Sequence, residues 1–243
     1  DIKAYLIESS IAILKIKDSQ AFLLEKNKLF DIYSNIELPL VNVLLSMENN
    51  GIKIDVTSLK NYSEYLTHQI KQIQQKVFSA AGESFNISSP KQLGEILFSK
   101  MKLSEKPKKT KSGQFSTSES ELIKLKGKHP IIDDILIFRT HQKLLSTYVN
   151  ALPLLVDKKT DKIHTTFNQT ITITGRLSSS NPNLQNIPIK KQSGKDVRKA
   201  FIPSSENHVL MAADYSQIEL RLIAELSQEK NMIEAFLNNE DIH

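Results

Sequence analysis

The chain has 243 residues, 40% hydrophobic and 24% charged, a composition typical of a globular protein that can bury a sizeable core. It contains no cysteine, which excludes disulfides and thiolate metal sites, and no apolar stretch approaches the roughly 20 residues of a membrane span. The opening DIKAYLIESS lacks the features of a signal peptide, so we expect a soluble cytoplasmic protein with no membrane partner.

The positive charge of the chain is concentrated in one segment. The net charge is +5, but residues 100–128 hold nine Lys and three Glu, a local +6, which leaves −1 for the rest. Such a segment is typical of a solvated, mobile loop, and it is also typical of a patch that binds phosphates of nucleic acid. Charge alone leaves both interpretations open.

The first half of the chain has the pattern of helices. Residues 5–33 and residues 37–51 predict helices, the second of which ends at Gly51. The longest predicted helix begins at an N-cap, Asp55, and runs to about Ala81, with Gly82 just beyond its end. Its apolar residues step by three or four positions, which predicts one buried stripe: Leu59, Tyr62, Leu66, Ile70, Ile73 and Val77.

Further helices flank the lysine-rich segment. Residues 88–101 predict a helix capped by Ser89, with Pro90 at its first position. Residues 100–118 combine Lys, Ser, Pro and Gly and predict a mobile loop or hinge. A short helix follows, and residues 130–156 predict a long one that carries Arg139 and Lys143 on the same face.

The pattern changes near residue 161. KIHTTFNQTITITGRLSS alternates with β-branched residues and predicts paired strands, and NPNLQNIP at 181–188 predicts an irregular loop. HVLMAAD at 208–214 predicts a short buried strand, followed by two helices that begin near residues 216 and 229. The fold class expected is therefore α+β, with a helical half before the first strands of a second half.

Two segments could carry chemistry. Asp214, at the end of the predicted strand, could hold a hard cation such as Mg2+ for phosphoryl transfer, or could be the acidic start of a helix. Arg176 and the amide side chains of residues 181–188 could donate to the minor groove of a duplex, or the loop could simply be a turn. The spacing of either segment alone leaves its alternatives open.

Taken together, these segments resemble the family A DNA polymerases. DYSQIELR at 214–221 resembles the family's motif A, and TGRLSSSNPNLQNIP at 174–188 resembles the segment that leads into it. FNISSPKQLGEILF, KTKSGQFSTS and RTHQKLLSTYVNALP resemble the thumb, and ELPLVNVLLSMENNGIKID resembles the entry to it. The resemblance covers about residues 37–243 in the expected order.

The resemblance implies a domain organisation and a function. Residues 1–36 would be the end of a 3′–5′ exonuclease-like domain, 37–160 a mostly helical thumb, and 161–243 the first antiparallel strands and helix of the palm with the start of the fingers. The full-length protein would be a monomeric, nucleoid-associated enzyme that adds dNTPs to the primer of primer-template DNA with two Mg2+ ions.

The resemblance also implies roles for residues around the nucleotide. Asp214 would be the catalytic residue and a ligand of both ions, and the backbone carbonyl of Tyr215 would hold one of them. Glu219 would crowd C2′ of the sugar and exclude a ribose 2′-hydroxyl. The remaining residues of the nucleotide pocket would be Ser216, Gln217, Ile218 and His243.

A second set of residues would contact DNA. Arg176 would reach the minor groove near the primer end, with Asn183, Gln185, Asn186 and Lys190 nearby. Lys190 stands where relatives often have Arg, so it keeps the charge without the bidentate fork. The phosphate backbone would be bound by Arg139, Lys143, Lys108, Lys109 and Lys111.

The sequence departs from the family in two places. The His-Asp-Glu triplet that supplies the family's other catalytic carboxylates does not occur, and the chain stops at His243, so we expect these 243 residues alone not to polymerise DNA. Ser9 stands four residues after Tyr5, where the exonuclease helix has an Asp, so the proofreading site is expected to be inactive.

Two other functions compete with DNA synthesis. A non-catalytic DNA-binding module derived from a polymerase thumb and palm fits the same residues. The polymerase and the DNA-binding module differ in whether the reading frame continues past His243 to encode the His-Asp-Glu triplet. A single-subunit RNA polymerase is disfavoured, because Glu219 would block a ribonucleotide.

Overall fold

The computed structural model describes residues 2–189 and 192–242, in two compact units that divide between Ser204 and Ser205. The expected domain boundaries near residues 36 and 160 do not coincide with this division, and they stay a prediction. In chain order, the α-helices and β-strands are α1 (Ile2–Lys26), α2 (Phe30–Ile32), α3 (Leu38–Asn50), β1 (Lys53–Ile54), α4 (Val56–Ala81), α5 (Pro90–Gly94), α6 (Glu119–Ile123), α7 (Ile131–Leu144), β2 (Thr166–Asn168), β3 (Ser178–Ser180), α8 (Gln192–Lys199), β4 (Phe201–Ile202), α9 (Ile218–Ser227) and α10 (Lys230–Leu237).

The N-terminal helices match the prediction for residues 5–33 and 37–51. Helix α1 is 25 residues long and buries none of them. A π-helical turn, Tyr33–Glu37, joins α2 to α3, which ends at Gly51 with φ +57°. Among the described residues, no helix is both long enough and apolar enough to cross a membrane.

The core of the first unit lies between α4 and α7. The predicted stripe of α4 is buried, including Leu66 and Val77 at 0% exposure, while Tyr62 is partly buried. Helix α7 meets it with its own apolar face, which is buried at Ile131, Ile132 and Ile135. Each fully buried Leu or Ile stabilises the fold by about 1.5–3 kcal/mol, so this helix pair contributes strongly to the stability of the unit.

The predicted helix ends are confirmed. The Asp55 carboxylate accepts a hydrogen bond from the Ser58 backbone N–H at 2.9 Å, and Gly82 follows α4 with φ +76°. The Ser89 hydroxyl accepts from the Gln92 N–H at 3.4 Å, with Pro90 as the first residue of α5. These side chains satisfy backbone groups that a helix end leaves without partners.

Two long helices of the prediction are interrupted. Helix α5 continues as a π-helical turn, Glu95–Lys100, and α7 continues as another, Leu145–Val149. A 3₁₀ turn, Leu152–Leu155, then replaces the predicted final turns, because Pro153 has no N–H to donate to an α-helical ladder. Helix α8 was not predicted from the sequence.

The strands form two small antiparallel sheets. Strands β2 and β3 pair Thr166 with Ser180 and Asn168 with Ser178, which confirms the paired strands. The pairing is limited to three residues on each side, and residues 169–177 form the connecting loop. Strands β1 and β4 form the other sheet, in which Lys53 pairs with Ile202.

The segment that leads into β2 is hydrogen-bonded to the C-terminal end of α3. The His164 ring Nδ1 lies 2.7 Å from the Glu48 carbonyl oxygen, and Lys162 Nζ donates to the Asn50 carbonyl at 2.8 Å. The Glu48 carboxylate in turn accepts from the Phe167 N–H at 2.6 Å. These bonds fix the β2–β3 hairpin to the helix, and Gly51 lies directly after the bonded residues of α3.

Gly51→Ala is expected to lower the free energy of unfolding by about 3 kcal/mol or more, because its φ of +57° with ψ of −173° is a region that only glycine adopts readily. A Cβ at Gly51 would also lie 2.7 Å from the His164 ring. Gly82→Ala is the control, since Gly82 also has positive φ but nothing within 4 Å of a Cβ. It should cost only about 1–2 kcal/mol. Urea unfolding of both variants measures the difference, and equal losses would contradict a particular requirement for glycine at residue 51.

The second unit contains α9 and α10. Both helices were predicted, and Arg221 of α9 lies over the Phe236 ring of α10 at 4.5 Å from its centroid. The prediction of a buried strand at 208–214 is wrong: this segment is exposed and irregular. A strand needs a neighbour for its backbone hydrogen bonds, and among the described residues none pairs with this one.

Candidate active site and nucleic-acid interface

The predicted amide loop, residues 181–188, begins at a pair of buried hydroxyl groups. The hydroxyls of Thr165 and Ser179 lie 2.6 Å apart, and the Ser179 oxygen also accepts from the Leu184 N–H at 3.0 Å. Thr165 reaches the Pro182 carbonyl at 2.8 Å. One arrangement uses each proton once: Leu184 N–H donates to Ser179, Ser179 to Thr165, and Thr165 to Pro182. This chain fixes the start of the loop to β3 and to the residue before β2.

The amide side chains of the loop are exposed. The Asn183 side-chain oxygen accepts from the N–H groups of Gln185 and Asn186 at 3.1 and 3.2 Å, so it closes a tight turn. The oxygen of Asn183 is therefore used within the loop, and its NH2 group remains as a donor. The side chains of Gln185 and Asn186 also face solvent. Amide donors match the acceptors that every base pair presents in the minor groove.

The far end of the loop is held by residues from two helical segments. The Tyr148 hydroxyl donates to the Asn186 carbonyl at 2.6 Å, and Arg198 of α8 donates to the Ile187 carbonyl at 3.0 Å. Burial raises the pKa of Tyr148, so its hydroxyl stays protonated and a donor at neutral pH. The loop is irregular in backbone but anchored at both ends.

Arg176 lies in the loop between β2 and β3. It is exposed and follows Gly175, whose φ is +75°. The Thr172 hydroxyl donates to the Arg176 carbonyl at 2.5 Å, which closes the turn around it. Hairpin and amide loop thus belong to one anchored structure, which carries four of the five residues predicted to face the minor groove. The fifth, Lys190, lies outside the described residues.

Arg139 and Lys143 lie on one wall of a groove of about 660 Å³. Arg139 is half-buried and donates to both the carbonyl and the hydroxyl of Thr117, the latter at 3.1 Å. Burial lowers the pKa of Arg139, and nearby Glu119 opposes this effect, so the guanidinium keeps its charge. Lys143 is exposed at the same groove.

The lysine-rich segment also lines the groove, through residues such as Thr110 and Gln114. Residues 108–116 form a compact hairpin, in which Ser116 N–H donates to the Lys108 carbonyl and Thr110 N–H to the Gln114 carbonyl, both at 2.8 Å. The predicted loop is confirmed, and cross-strand bonds satisfy part of its backbone, while its mobility stays a prediction. Lys109 packs over the Phe115 ring at 5.7 Å, and Lys108 lies 3.9 Å from Glu121. The hairpin presents three exposed lysines beside the groove: Lys108, Lys109 and Lys111.

The motif A residues lie together at the start of α9. Asp214 and Tyr215 are exposed, and Glu219 is in the first turn of the helix. Gln217 precedes α9 with φ +51° and donates through its side chain to Asp241, and Arg221 donates to the Ser216 carbonyl at 3.0 Å. Ile218 is the first residue of α9. His243, predicted to touch the nucleotide, lies outside the described residues.

The donor set fits only part of a metal site. Asp214 offers the hard oxygen ligands that Mg2+ prefers, and Mg2+ commonly takes one or two carboxylates with substrate phosphates and waters. Across residues 2–189 and 192–242, no group of three or more His, Cys, Asp and Glu side chains is placed to hold an ion. Within the described residues, Asp214 therefore suits one ligand position of a Mg2+ site and no more.

Four residues of the interface were missed by the sequence reasoning: Thr117, Tyr148, Thr165 and Ser179. All of them are buried at 9% exposure or less, and each of them makes a hydrogen bond to a residue of the groove or the loop. The one available signal was Tyr148, since a tyrosine on a buried helix face normally has a partner for its hydroxyl. The other three are common in loops and strands and carry no such signal.

Comparison with known proteins places this arrangement in a family. The family model described as DNA polymerase family A matches residues 56–243. A DNA polymerase I of Bacillus subtilis is 46% identical over 242 residues, which are 100% of this chain and 27% of that protein. A DNA polymerase I of Synechocystis sp. is 52% identical over 217 residues, which are 89% of this chain and 22% of that protein. The chain thus spans about a quarter of the length of these relatives.

A solved structure shares the fold. The POL domain of Pol1 from M. smegmatis, in complex with DNA primer-template and dNTP, is 40% identical and superimposes with a TM-score of 0.87. The match covers 96% of this chain and 41% of the other. The predicted fold class is confirmed, as a helical thumb followed by the opening of an α+β palm. The chain belongs to DNA polymerase family A.

Proposed function

We propose that the full-length protein performs template-directed DNA synthesis, by transfer of a nucleotide from a dNTP to the 3′-hydroxyl of a primer. The observation that carries this proposal is the family match over residues 56–243, which includes both the anchored amide loop and Asp214. In the reaction the primer 3′-oxygen bonds to the α-phosphorus, the bond from that phosphorus to the leaving pyrophosphate breaks, and the hydroxyl proton passes to water.

The nucleotide would be held at the start of α9. Two Mg2+ ions, when bound, would activate the primer hydroxyl and neutralise charge on the triphosphate. Asp214 would be a ligand of both ions and the Tyr215 carbonyl a ligand of one, together with further carboxylates. Glu219 would exclude a 2′-hydroxyl, and the other residues lining the pocket would be Ser216, Gln217, Ile218 and His243.

The duplex would be held by the first unit. The groove and its lysine hairpin would bind phosphates through Arg139, Lys143, Lys108, Lys109 and Lys111. Arg176 and the amide side chains would lie in the minor groove near the primer end, where their donors meet acceptors that differ little between sequences. Such contacts suit an enzyme that must bind any duplex.

The remaining assignments are part of the same proposal. Residues 1–36 would be the end of an exonuclease-like domain, 37–160 the thumb, and 161–243 the beginning of the palm and fingers. The protein would act as a monomer on DNA in the cytoplasm, associated with the nucleoid.

Primer extension tests the proposal. The full-length protein is expected to extend a primer with Mg2+ and dNTPs, whereas the 243-residue chain should bind duplex DNA without extending it. The affinity of the chain should fall by about 10²–10³-fold between 50 and 200 mM salt, if five cations each displace a counterion. Fluorescence anisotropy measures the binding, and gel electrophoresis measures the extension.

A single substitution assigns the salt dependence to the groove. Lys143→Gln should reduce the slope of log affinity against log salt by about 0.9, while the control Lys158→Gln, at an exposed lysine outside the groove, should leave it unchanged. Salt-independent binding by the chain would argue against the interface. Extension by the chain alone would show that the missing carboxylates are not needed.

A further inference from the structure

One buried hydroxyl group joins the groove to the amide loop. Tyr148 lies in the π-helical turn that continues α7, nine residues after Arg139 and five after Lys143. Its hydroxyl donates to the carbonyl of Asn186, which is 38 residues further along the chain, at 2.6 Å. The helical segment that carries the groove cations therefore also holds the loop whose amides face solvent.

The ring and the hydroxyl of Tyr148 have separate roles. The residue is 3% exposed, and its ring belongs to the hydrophobic core. Phenylalanine would fill the same space, so loss of the hydroxyl alone removes the bond to Asn186 with little change in packing. The hydroxyl therefore affects where the loop lies more than whether the unit folds.

The other contacts of the loop do not replace this bond. Thr165 and Ser179 fix Pro182 and Leu184, at the start of the loop. Arg198 reaches the Ile187 and Pro188 carbonyls at 3.0 and 3.4 Å, which lie beyond the two residues that carry the amides. The Asn183 oxygen accepts from N–H groups of the loop itself, and these bonds move with the loop. Leu184 and Ile187 pack against the core on either side of the two amides, and the Tyr148 bond is the one that ties the backbone of Asn186 itself to the helical segment of the groove.

We propose that Tyr148 is a positioning residue, which sets the distance between phosphate binding in the groove and minor-groove contact by Gln185 and Asn186. The inference rests on the proposed function, since it assumes that both surfaces bind the same primer-template duplex. A hydrogen bond from an amide to a base weakens steeply when the donor moves or tilts, so a displaced loop loses its minor-groove contacts. Binding by the groove cations depends less on orientation and would remain.

The test combines Tyr148→Phe with a change in the DNA. Replacing guanines near the primer end with 3-deazaguanine removes the minor-groove acceptor N3 and leaves base pairing intact. For the wild-type full-length protein, this should lower kcat/KM of primer extension by about fivefold, the value of one hydrogen bond. In Tyr148→Phe the same replacement should lower it by less than about twofold, because the contact is already lost.

The comparison is designed to separate positioning from folding. The penalty is the ratio of kcat/KM on unmodified DNA to kcat/KM on DNA with 3-deazaguanine, both measured on the same preparation. A smaller folded fraction lowers both values equally, so it cancels in the ratio. Tyr65→Phe, at an exposed tyrosine of α4, is the matched control and should keep the full fivefold penalty. Melting temperatures of both variants should stay within a few degrees of the wild type.

Each outcome decides a different point. A full penalty in Tyr148→Phe overturns the inference and leaves the proposed function intact. A wild-type protein that extends primers with no penalty also overturns it, because the loop then does not contact the minor groove. A full-length protein that extends no primer overturns the proposed function and the inference with it.

Discussion

Asp214→Asn in the full-length protein is expected to reduce the rate of DNA synthesis by about 10³-fold or more, while the affinity for primer-template DNA stays within a few-fold. Asparagine has the same shape but no charge, so it cannot hold divalent ions that stabilise several kcal/mol of transition-state charge. The groove and the amide loop belong to the first unit and are unchanged. Rapid-quench primer extension measures the rate, and anisotropy measures the affinity.

Glu225→Gln is the matched control for Asp214. It removes an exposed carboxylate from α9 in the same unit, away from motif A. It should leave the rate within about twofold, since isolated surface charges contribute little. A slow Glu225→Gln would indicate that general loss of negative charge, and not loss of a ligand, limits synthesis. A normal rate in Asp214→Asn would refute the metal assignment directly.

Glu219→Ala in the full-length protein is expected to increase incorporation of ribonucleotides relative to deoxynucleotides by about 10²-fold. A side chain that crowds C2′ leaves no room for a hydroxyl, and alanine opens that space, which for one hydroxyl corresponds to discrimination of about this size. Single-nucleotide insertion with matched dNTP and rNTP pairs gives the ratio of kcat/KM for each variant.

Glu219→Gln separates size from charge. Glutamine fills nearly the same volume without the carboxylate, so exclusion by crowding predicts that this variant still rejects ribonucleotides. If Glu219→Gln admits them as readily as Glu219→Ala, the charge is responsible. Unchanged sugar selectivity in Glu219→Ala would remove Glu219 from the nucleotide site.

The helical part of the fold could be predicted because its signals are local. Asp55, Gly82 and Ser89 mark helix ends through bonds to residues three or four positions away, and the stripe of α4 repeats at helical spacing. The π-helical turns after α5 and α7 could not be predicted in this way. They depend on how each helix packs against its neighbours.

The strand at 208–214 was mispredicted for a physical reason. An apolar run with an acidic end has the composition of a buried strand, but composition does not supply a partner for backbone hydrogen bonds. Among the described residues that partner is absent, and the segment is exposed.

The candidate site combines residues that the sequence indicates with residues whose role appears only in the structure. Asp214, Glu219 and Arg176 could be chosen because residue type and motif agree. The hydroxyl pair of Thr165 and Ser179 could not, because its function comes from a separation of 14 residues that the hairpin closes. The sequence proposes the groups that would touch DNA and nucleotide, which stay a prediction, and the structure adds the groups that hydrogen-bond to them or to their loop.

The contact between Arg139 and Thr117 has a kinetic consequence. Two of the five guanidinium donors already bond to Thr117, so the side chain is ordered before any DNA arrives, and three donors remain for a phosphate. Arginine otherwise loses about 2 kcal/mol of rotamer entropy when it is fixed. In the proposed complex that loss has already occurred on folding. The affinity gained in this way would appear as slower dissociation of DNA rather than faster association, because the association rate depends on the net field of the lysines around the groove.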